Sequence, residues 1–207
     1  MLVLASASPR RRQLLTQAGF TFEVRPAHIP EDPMPGEEPI AYVTRLAREK
    51  AQVVFDEIAA GAASLTQNAA AAGAIDVRSL AVLGADTTVT LDGQILGKPE
   101  DSADAARILR KLSGRSHRVI TGVALVTHEA VEVAAEITAV QFLTLSDEEI
   151  AAYIATGEPM DKAGAYGIQG LAARWIPRVE GCYFNVMGLP LALVASMLES
   201  RGIPEPK

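Results

Sequence analysis

Short apolar runs that alternate with helix-like segments constrain the fold of this chain more than any other feature. Residues 2–5 are predicted to form a short buried strand. Ser8 and Pro9 follow directly, and they are typical of an N-cap and a first helical position. A long amphipathic helix is predicted to begin at Pro39, with apolar residues at helical spacing. Strands and helices in alternation predict an α/β fold.

The remaining pattern continues this alternation to the C-terminus. Further strands are predicted at residues 22–25, 79–84, 89–91, 95–96, 119–126, 131–145 and 173–179, with a hairpin turn at Asp92 and Gly93. Further helices are predicted from Ser102, as the N-cap, to Leu112, from Ser146 in a capping box, and from Pro190 to about Gly202. An Ala-rich segment at residues 59–76 is interpreted as a surface insertion, partly helical. Residues 1–207 are expected to form a single domain.

Composition excludes several classes of function. The formal net charge is −6 and the pI is about 5.1, whereas nucleic-acid-binding domains are usually basic. Any basic cluster is therefore better interpreted as a site for a small anion. No apolar run approaches the ~20 residues of a membrane-spanning helix. Cys182 is the only cysteine, so an internal disulfide is excluded and a cytoplasmic location is expected.

Residues 6–12, Ser-Ala-Ser-Pro-Arg-Arg-Arg, form the first candidate site. A strand that leads into a helix N-terminus presents free N–H groups to an anion, although an ordinary capped helix with solvated arginines is the alternative. A helix end contributes ~0.3–1 kcal/mol, whereas micromolar binding requires about 8 kcal/mol. Cationic side chains, and a metal ion, must supply the rest. The candidate cations are Arg11, Arg12, Lys50, Lys98 and Lys162.

Two further clusters are ambiguous when each is taken alone. Asp86 follows the strand predicted at residues 79–84, and open α/β sheets place their ligands at such strand ends. An aspartate that caps a turn is the alternative. The spaced glycines of residues 164–170 permit close approach of a ligand to the backbone, or they form a structural turn.

Taken together, these segments resemble the Maf family of nucleoside triphosphate pyrophosphatases, and the resemblance covers nearly the whole chain. The matching segments are residues 4–11, 42–51, 84–87, 96–99, 112–123, 161–170 and 185–190. The resemblance implies a two-lobed mixed sheet flanked by helices, with a nucleotide cleft between the lobes, as in Maf and inosine triphosphate pyrophosphatase-like proteins. It also implies a homodimer and a divalent cation, Mg²⁺ or Mn²⁺.

The resemblance also assigns roles to individual residues. Asp86 is expected to be the catalytic proton acceptor or a metal ligand, and Glu31 is a second candidate metal ligand. The positions that separate substrates match Arg11, Thr87 and Gln169. The phosphate-binding candidates are Ser8, Arg12, Lys50 and Lys98.

These specificity positions are of the type that acts on dTTP and UTP, which are expected to yield the nucleoside monophosphate and pyrophosphate. Two alternatives remain open from sequence. One is the same reaction on 7-methyl-GTP, and the other is a nucleotide-sensing regulator of septum formation in which turnover is incidental.

Overall fold

The computed structural model describes residues 1–67 and 76–203, and it shows an α/β fold, as expected. Within this part of the chain, seven strands form one mixed sheet. The strands are β1 (Leu2–Leu4), β2 (Glu23–Val24), β3 (Ala81–Leu91), β4 (Gln94–Leu96), β5 (Ser116–Thr127), β6 (Val131–Gln141) and β7 (Arg178–Glu180). The helices are α1 (Pro9–Gln17), α2 (Pro39–Gln67), α3 (Ser102–Leu112), α4 (Asp147–Ala155), α5 (Tyr183–Val186) and α6 (Leu191–Glu199).

Strand β3 is the axis of the sheet, and one of its edges is interrupted. The strand order is β2-β1-β3-β5-β6-β7, with β4 added on β3. Strand β5 pairs antiparallel with β3 from residue 81 to residue 90. On the opposite edge, β1 pairs in parallel with residues 81–83, and β4 pairs with residues 89–91. In these registers, residues 84–88 have no strand partner on that edge.

Helix α2 packs unusually close to the sheet because two glycines face it. A Cβ atom at Gly84 would overlap the backbone oxygen of Ala47, and one at Gly122 would overlap the backbone of Val43. The two glycines lie on the neighbouring strands β3 and β5. Side chains at either position would push the helix outward. The backbone contact therefore sets the distance between α2 and the sheet.

The apolar core is divided between the two ends of the long strands. At one end, α2 covers one face of the sheet around Val82 and Ala124. Helices α1 and α6 cover the opposite face of that end around Leu83. At the other end, α3 and α4 pack with the 3₁₀ turns after α4 around Val89 and Val119. These are the two lobes that the resemblance implied, and β3 and β5 run through both.

The strand predicted at residues 79–84 was wrong in its bounds, because β3 continues to Leu91. Asp86 therefore lies in the middle of a buried strand rather than beyond its end. A charged residue is tolerated there because its carboxylate is paired with Lys50. The neighbouring residues Thr88 and Thr90 are also buried, and β-branched side chains favour the extended backbone.

Other predicted boundaries also required correction. Asp101, rather than Ser102, is the N-cap of α3. The strand predicted at residues 173–179 is a 3₁₀ helix (Leu171–Trp175) followed by the short strand β7, and β6 ends at Gln141 rather than at residue 145. Helix α2 includes residues 59–67 of the predicted insertion, whereas residues 68–75 lie outside the described part of the chain.

Capping and turn residues predicted local structure more accurately than the apolar runs predicted the ends of strands. Ser8 is the N-cap of α1, as predicted, and Ser146 forms the predicted capping box with Glu149. Asp92 and Gly93, both with positive φ, form the predicted hairpin turn between β3 and β4. Of the helices in the described ranges, none has the length and apolarity needed to cross a membrane.

Substitution of Gly84 by alanine is expected to destabilise the protein by about 1–3 kcal/mol, since the added methyl group overlaps the backbone of α2. Gly61→Ala is the matched control, because Gly61 lies in α2 with open space around it. This control should stabilise the protein by about 0.5–1 kcal/mol. Urea unfolding measures both changes. Equal effects of the two substitutions would contradict the close packing of α2.

Candidate active site

The interrupted edge of β3 opens into a cleft of about 790 Å³ between the two lobes. This volume lies within the ~300–1,000 Å³ of typical ligand pockets. Besides the candidate cation Lys162, eight of the nine residues to which the resemblance assigned roles line the cleft. They are Ser8 and Arg11 from α1, Glu31 from the loop after β2, Lys50 from α2, Asp86 and Thr87 from β3, Lys98 from the loop after β4, and Gln169.

Arg12 is the exception among the proposed residues. It is exposed and does not line the cleft, whereas Arg10 and Arg11 do. Successive residues of an α-helix point about 100° apart, so three consecutive arginines cannot face one site. The structure thus places Arg10, rather than Arg12, beside Arg11 at the cleft.

Lys50 is the centre of a charged cluster in the cleft. Its Nζ atom lies 2.7 Å from Oδ1 of Asp86 and 2.6 Å from Oε1 of Glu31. Lys50 and Asp86 are only 6% and 8% exposed, so the charge of Asp86 is compensated by Lys50, and the charge of Lys50 by both Asp86 and Glu31. Each carboxylate also has a second oxygen, which does not take part in these two contacts.

Glu31 is brought to this cluster by its loop. Burial acts to raise the pKa of Glu31, but the hydrogen bond and charge of Lys50, together with Lys98 and Arg11, outweigh burial and lower it. The Tyr42 hydroxyl donates to the backbone oxygen of Glu31 at 2.8 Å and so fixes the loop on α2. Burial, with the negative charges of Asp86 and Glu31, raises the pKa of Tyr42 to about 12. Because the pKa of Glu31 is lowered, this side chain is held in its ionised form.

Arg11 is fixed by three hydrogen bonds to protein atoms. Its Nε donates to the Gly188 backbone oxygen at 2.8 Å, its Nη1 to Ser6 Oγ at 3.1 Å and its Nη2 to Thr87 Oγ1 at 3.0 Å. A guanidinium group carries five N–H donors, so two remain beyond these contacts. Burial lowers the pKa of Arg11, and the charge of Asp86 opposes this effect. Arg11 is thus a rigid donor at the cleft.

A chain of hydroxyl groups behind Arg11 has a defined direction. Thr121 Oγ1 donates to the backbone oxygen of Asn185 at 3.1 Å. Its proton is therefore used, and it must accept in the 2.9 Å contact with Thr87 Oγ1. Thr87 then donates to Thr121 and accepts from Arg11. The fully buried Thr121 accordingly takes the Thr87 proton and leaves the Thr87 oxygen free to accept from the guanidinium group.

The cleft is locally cationic although the whole chain is acidic. Five basic and four acidic side chains line it, whereas the chain carries a net charge of −6. The basic residues are Arg10, Arg11, Lys50, Lys98 and Lys162, and the acidic residues are Glu31, Asp86, Glu158 and Asp161. The N-terminus of α1 adds its dipole at Ser8. The balance suits a polyanionic ligand.

An aromatic cluster forms the wall of the cleft on the α3 side. Tyr166 lines the cleft, and its hydroxyl lies 2.8 Å from Nε2 of the buried His117. The rings of His117, Tyr166 and Phe142 meet edge to face. Burial lowers the pKa of His117 to about 4, so the imidazole is neutral near pH 7. It supports the wall and does not add charge.

Several residues that line the cleft, or that lie buried behind it like Thr121, were not identified from sequence. Tyr42, Thr121, Tyr166 and Arg10 occur inside the segments that carry the family resemblance, and their place in these segments was the available signal. Glu158 lies three residues before such a segment. Nothing in local periodicity indicates that these side chains converge, because their contacts join distant parts of the chain.

The fold and the cleft define a class of protein: an α/β protein with a two-lobed sheet and a locally cationic cleft around a lysine–carboxylate cluster. The family model described as Maf-like protein matches residues 1–201, and this chain belongs to that family.

Three similar proteins carry the name dTTP/UTP pyrophosphatase. The protein from Koribacter versatilis is 50% identical over 202 residues, covering 98% of this chain and 95% of its own length. That from Aromatoleum aromaticum is 48% identical, covering 98% and 96%. That from Geobacter sulfurreducens is 49% identical, covering 97% and 96%. The similarity therefore extends over both lobes.

Replacing Thr121 by valine is expected to destabilise the protein by about 1–3 kcal/mol, because Thr87 loses its closest acceptor and the Asn185 carbonyl loses one of its donors. Thr121→Ser keeps the hydroxyl and should retain more of the stability. Chemical denaturation of both variants provides the comparison. A valine variant that is at least as stable as the serine variant would contradict the hydroxyl chain.

Proposed function

We propose that this chain is a nucleoside triphosphate pyrophosphatase that hydrolyses dTTP and UTP to the nucleoside monophosphate and pyrophosphate. The observation that carries the proposal is the convergence of Asp86, Lys50, Arg11 and Gln169 on one cationic cleft. These residues come from four separate parts of the chain. Relatives of about 50% identity that bear the name dTTP/UTP pyrophosphatase support the choice of substrate.

In the proposed reaction, water attacks the α-phosphorus and the bond from this phosphorus to the bridging oxygen breaks. Pyrophosphate leaves with the bond electrons, and the water proton passes to a base. Arg10, Arg11, Lys98 and Lys162 line the cleft and can neutralise phosphate charge during this step. Asp86 is held rigidly by Lys50 on a buried strand, so it can orient the water as the base.

We propose that Asp86 and Glu31 hold a divalent cation, Mg²⁺ or Mn²⁺, through the oxygens that Lys50 does not contact. The described ranges contain no cluster of three or more His, Cys, Asp or Glu side chains placed for a metal. Mg²⁺ commonly uses one or two carboxylates together with substrate phosphates, and the two carboxylates fit that pattern. Such a cation would stabilise the charge of the leaving pyrophosphate.

Pyrimidine recognition is proposed to involve Gln169, which lines the cleft from an exposed loop. Its amide group offers a donor and an acceptor, which can match the N3–H and carbonyl oxygens of thymine or uracil. Thr87 and Arg11 lie in mutual contact and both line the cleft, whereas the exposed Arg12 does not. Because hydrogen bonds fix both side chains, they limit which ligand groups fit the adjoining part of the cleft.

We further propose a homodimer that acts in the cytoplasm. The family resemblance supports the dimer, as do exposed apolar residues on one face of β6, namely Val131, Val133 and Ile137. The free thiol of Cys182 is consistent with a reducing compartment.

Purified protein should release pyrophosphate from dTTP and UTP faster than from 7-methyl-GTP, because the cleft carries Arg11, Thr87 and Gln169. Chromatography of the products, across canonical and methylated triphosphates, provides the test. A nucleoside diphosphate with orthophosphate would place the attack at the γ-phosphorus and contradict the mechanism. Tight nucleotide binding with negligible turnover would favour the sensing role.

Asp86→Asn is expected to lower kcat for dTTP by about 10²–10⁴-fold, since the variant lacks the basic, negatively charged oxygen. The fold should persist because Lys50 retains Glu31 as a partner. Asp92→Asn is the matched control. It removes an exposed ion pair with Arg115, worth ~0–1 kcal/mol, and asparagine tolerates the positive φ of this turn.

Binding of Mn²⁺ in the presence of an α,β-methylene analogue of dTTP separates the two roles of Asp86. Loss of cation binding in Asp86→Asn would identify a metal ligand, and retention with lost turnover would identify the base. A folded variant that turns over within a few-fold of the original chain would exclude Asp86 from the mechanism.

A further inference from the structure

Two glycines of the segment at residues 164–170 pack against one carboxylate. A Cβ atom at Gly170 would overlap the carboxylate of Glu158. One at Gly167 would lie 2.8 Å from Cε of Lys162 and 3.5 Å from Oε1 of Glu158. These glycines thus permit close approach, but the group that approaches is a side chain of the protein itself.

Both oxygens of Glu158 accept hydrogen bonds. Oε1 accepts from the Tyr153 hydroxyl at 2.8 Å, and Oε2 accepts from the Leu171 N–H at 3.1 Å. The Tyr153 hydroxyl in turn accepts from the Gly167 N–H at 3.2 Å. The carboxylate therefore holds two backbone amides, one directly and the other through a buried tyrosine.

These two amides flank Gln169, which lies two residues from each. Gln169 itself is exposed and lines the cleft. Glycines give a loop many alternative conformations, and the loss of that freedom on ordering is costly. A side chain that reads a base must be held to about 0.5 Å. The anchors at Gly167 and Leu171 supply this restraint.

We propose that Glu158 is a positioning residue for base specificity, which acts by fixing residues 167–171 and so the amide group of Gln169. This inference rests on the proposed function, in which Gln169 contacts the pyrimidine. Glu158 is close enough to the cleft to line it, but its two oxygens are used by Tyr153 and Leu171. Its effect on the base is therefore exerted through the loop.

The central variant is Glu158→Ala, with Glu158→Gln as the conservative partner. Glutamine can accept from the Leu171 amide with its oxygen and donate its NH₂ group to Tyr153, whose hydroxyl accepts as well as donates. Alanine removes both contacts. Glu57→Ala, at an exposed position on α2, controls for the loss of a glutamate elsewhere. Thermal unfolding verifies that each variant is folded.

The first measurement is the ratio of kcat/KM for dTTP to that for dCTP, whose base presents the opposite hydrogen-bonding pattern. Glu158→Ala should lower this ratio at least about 10-fold, mainly through KM for dTTP, while glutamine retains most of it. In a Gln169→Ala background, Glu158→Ala should change the ratio by less than about twofold, because both residues act through one contact. A fall in the ratio that is as large in the Gln169→Ala background as in the original chain would overturn the proposal.

The second measurement is amide hydrogen exchange, which does not depend on activity. The Leu171 amide should exchange at least about 10-fold faster in Glu158→Ala than in the original chain or the glutamine variant. Unchanged exchange in a folded alanine variant would overturn the anchor. If Glu158→Ala does not fold, Tyr153→Phe replaces it. In that variant, the Gly167 amide should exchange faster, and the ratio for dTTP over dCTP should fall less than is expected for Glu158→Ala.

The proposed function can fail separately from this inference. A chain that releases pyrophosphate from neither dTTP nor UTP would contradict the function. Binding of the α,β-methylene analogues of dTTP and dCTP would then replace turnover as the measure of discrimination. Equal discrimination by the original chain and Glu158→Ala in that assay would overturn the role of Glu158.

Discussion

The interrupted pairing of strand β3 is the constraint on which the cleft depends. Because β1 ends at Leu4 and β4 begins its pairing at Val89, residues 84–88 lack a strand neighbour on one edge. The continuous ladder with β5 on the opposite edge keeps this stretch extended and rigid. A gap in a sheet is ordinarily filled or covered. In this protein, the gap is the floor of the cleft, and the two lobes form its walls.

Side chains alternate along β3, so cleft residues of this strand lie on both faces of the sheet. Asp86 shares its face with Gly84 and meets Lys50 of α2, whereas Thr87 points to the other face and meets Arg11 of α1. The close approach of α2 at Gly84 brings the lysine within reach of the carboxylate. The distance between α2 and the sheet therefore determines whether Lys50 can pair with Asp86. The contact between Thr87 and Arg11 lies on the other face, which α1 and α6 cover.

Asp86 does not lie where its local sequence pattern indicates. The pattern predicts a strand that ends before this residue, and the prediction was wrong because β3 continues to Leu91. The residue nevertheless lines the cleft, since the strand that ends beside it is the neighbouring β1. Arg12 shows the reverse situation, because it was assigned to phosphate binding next to Arg11, although helical geometry directs it away from the cleft. Both errors arose where the orientation of a side chain depends on elements distant in sequence.

The sequence by itself determined the α/β class, the caps of α1 and α4, the hairpin at Asp92 and Gly93, and the family, because these follow from periodicity, local hydrogen bonding and motif order. Only the tertiary structure decided which charges meet. Lys50 and Asp86 are 36 residues apart, and Arg11 contacts the Gly188 carbonyl across 177 residues. Likewise, the sequence left open whether the glycines around Gln169 serve a ligand or a turn, and the structure shows that Gly167 and Gly170 pack against Glu158. Such contacts depend on strand register and helix packing, which the pattern of neighbouring residues does not specify.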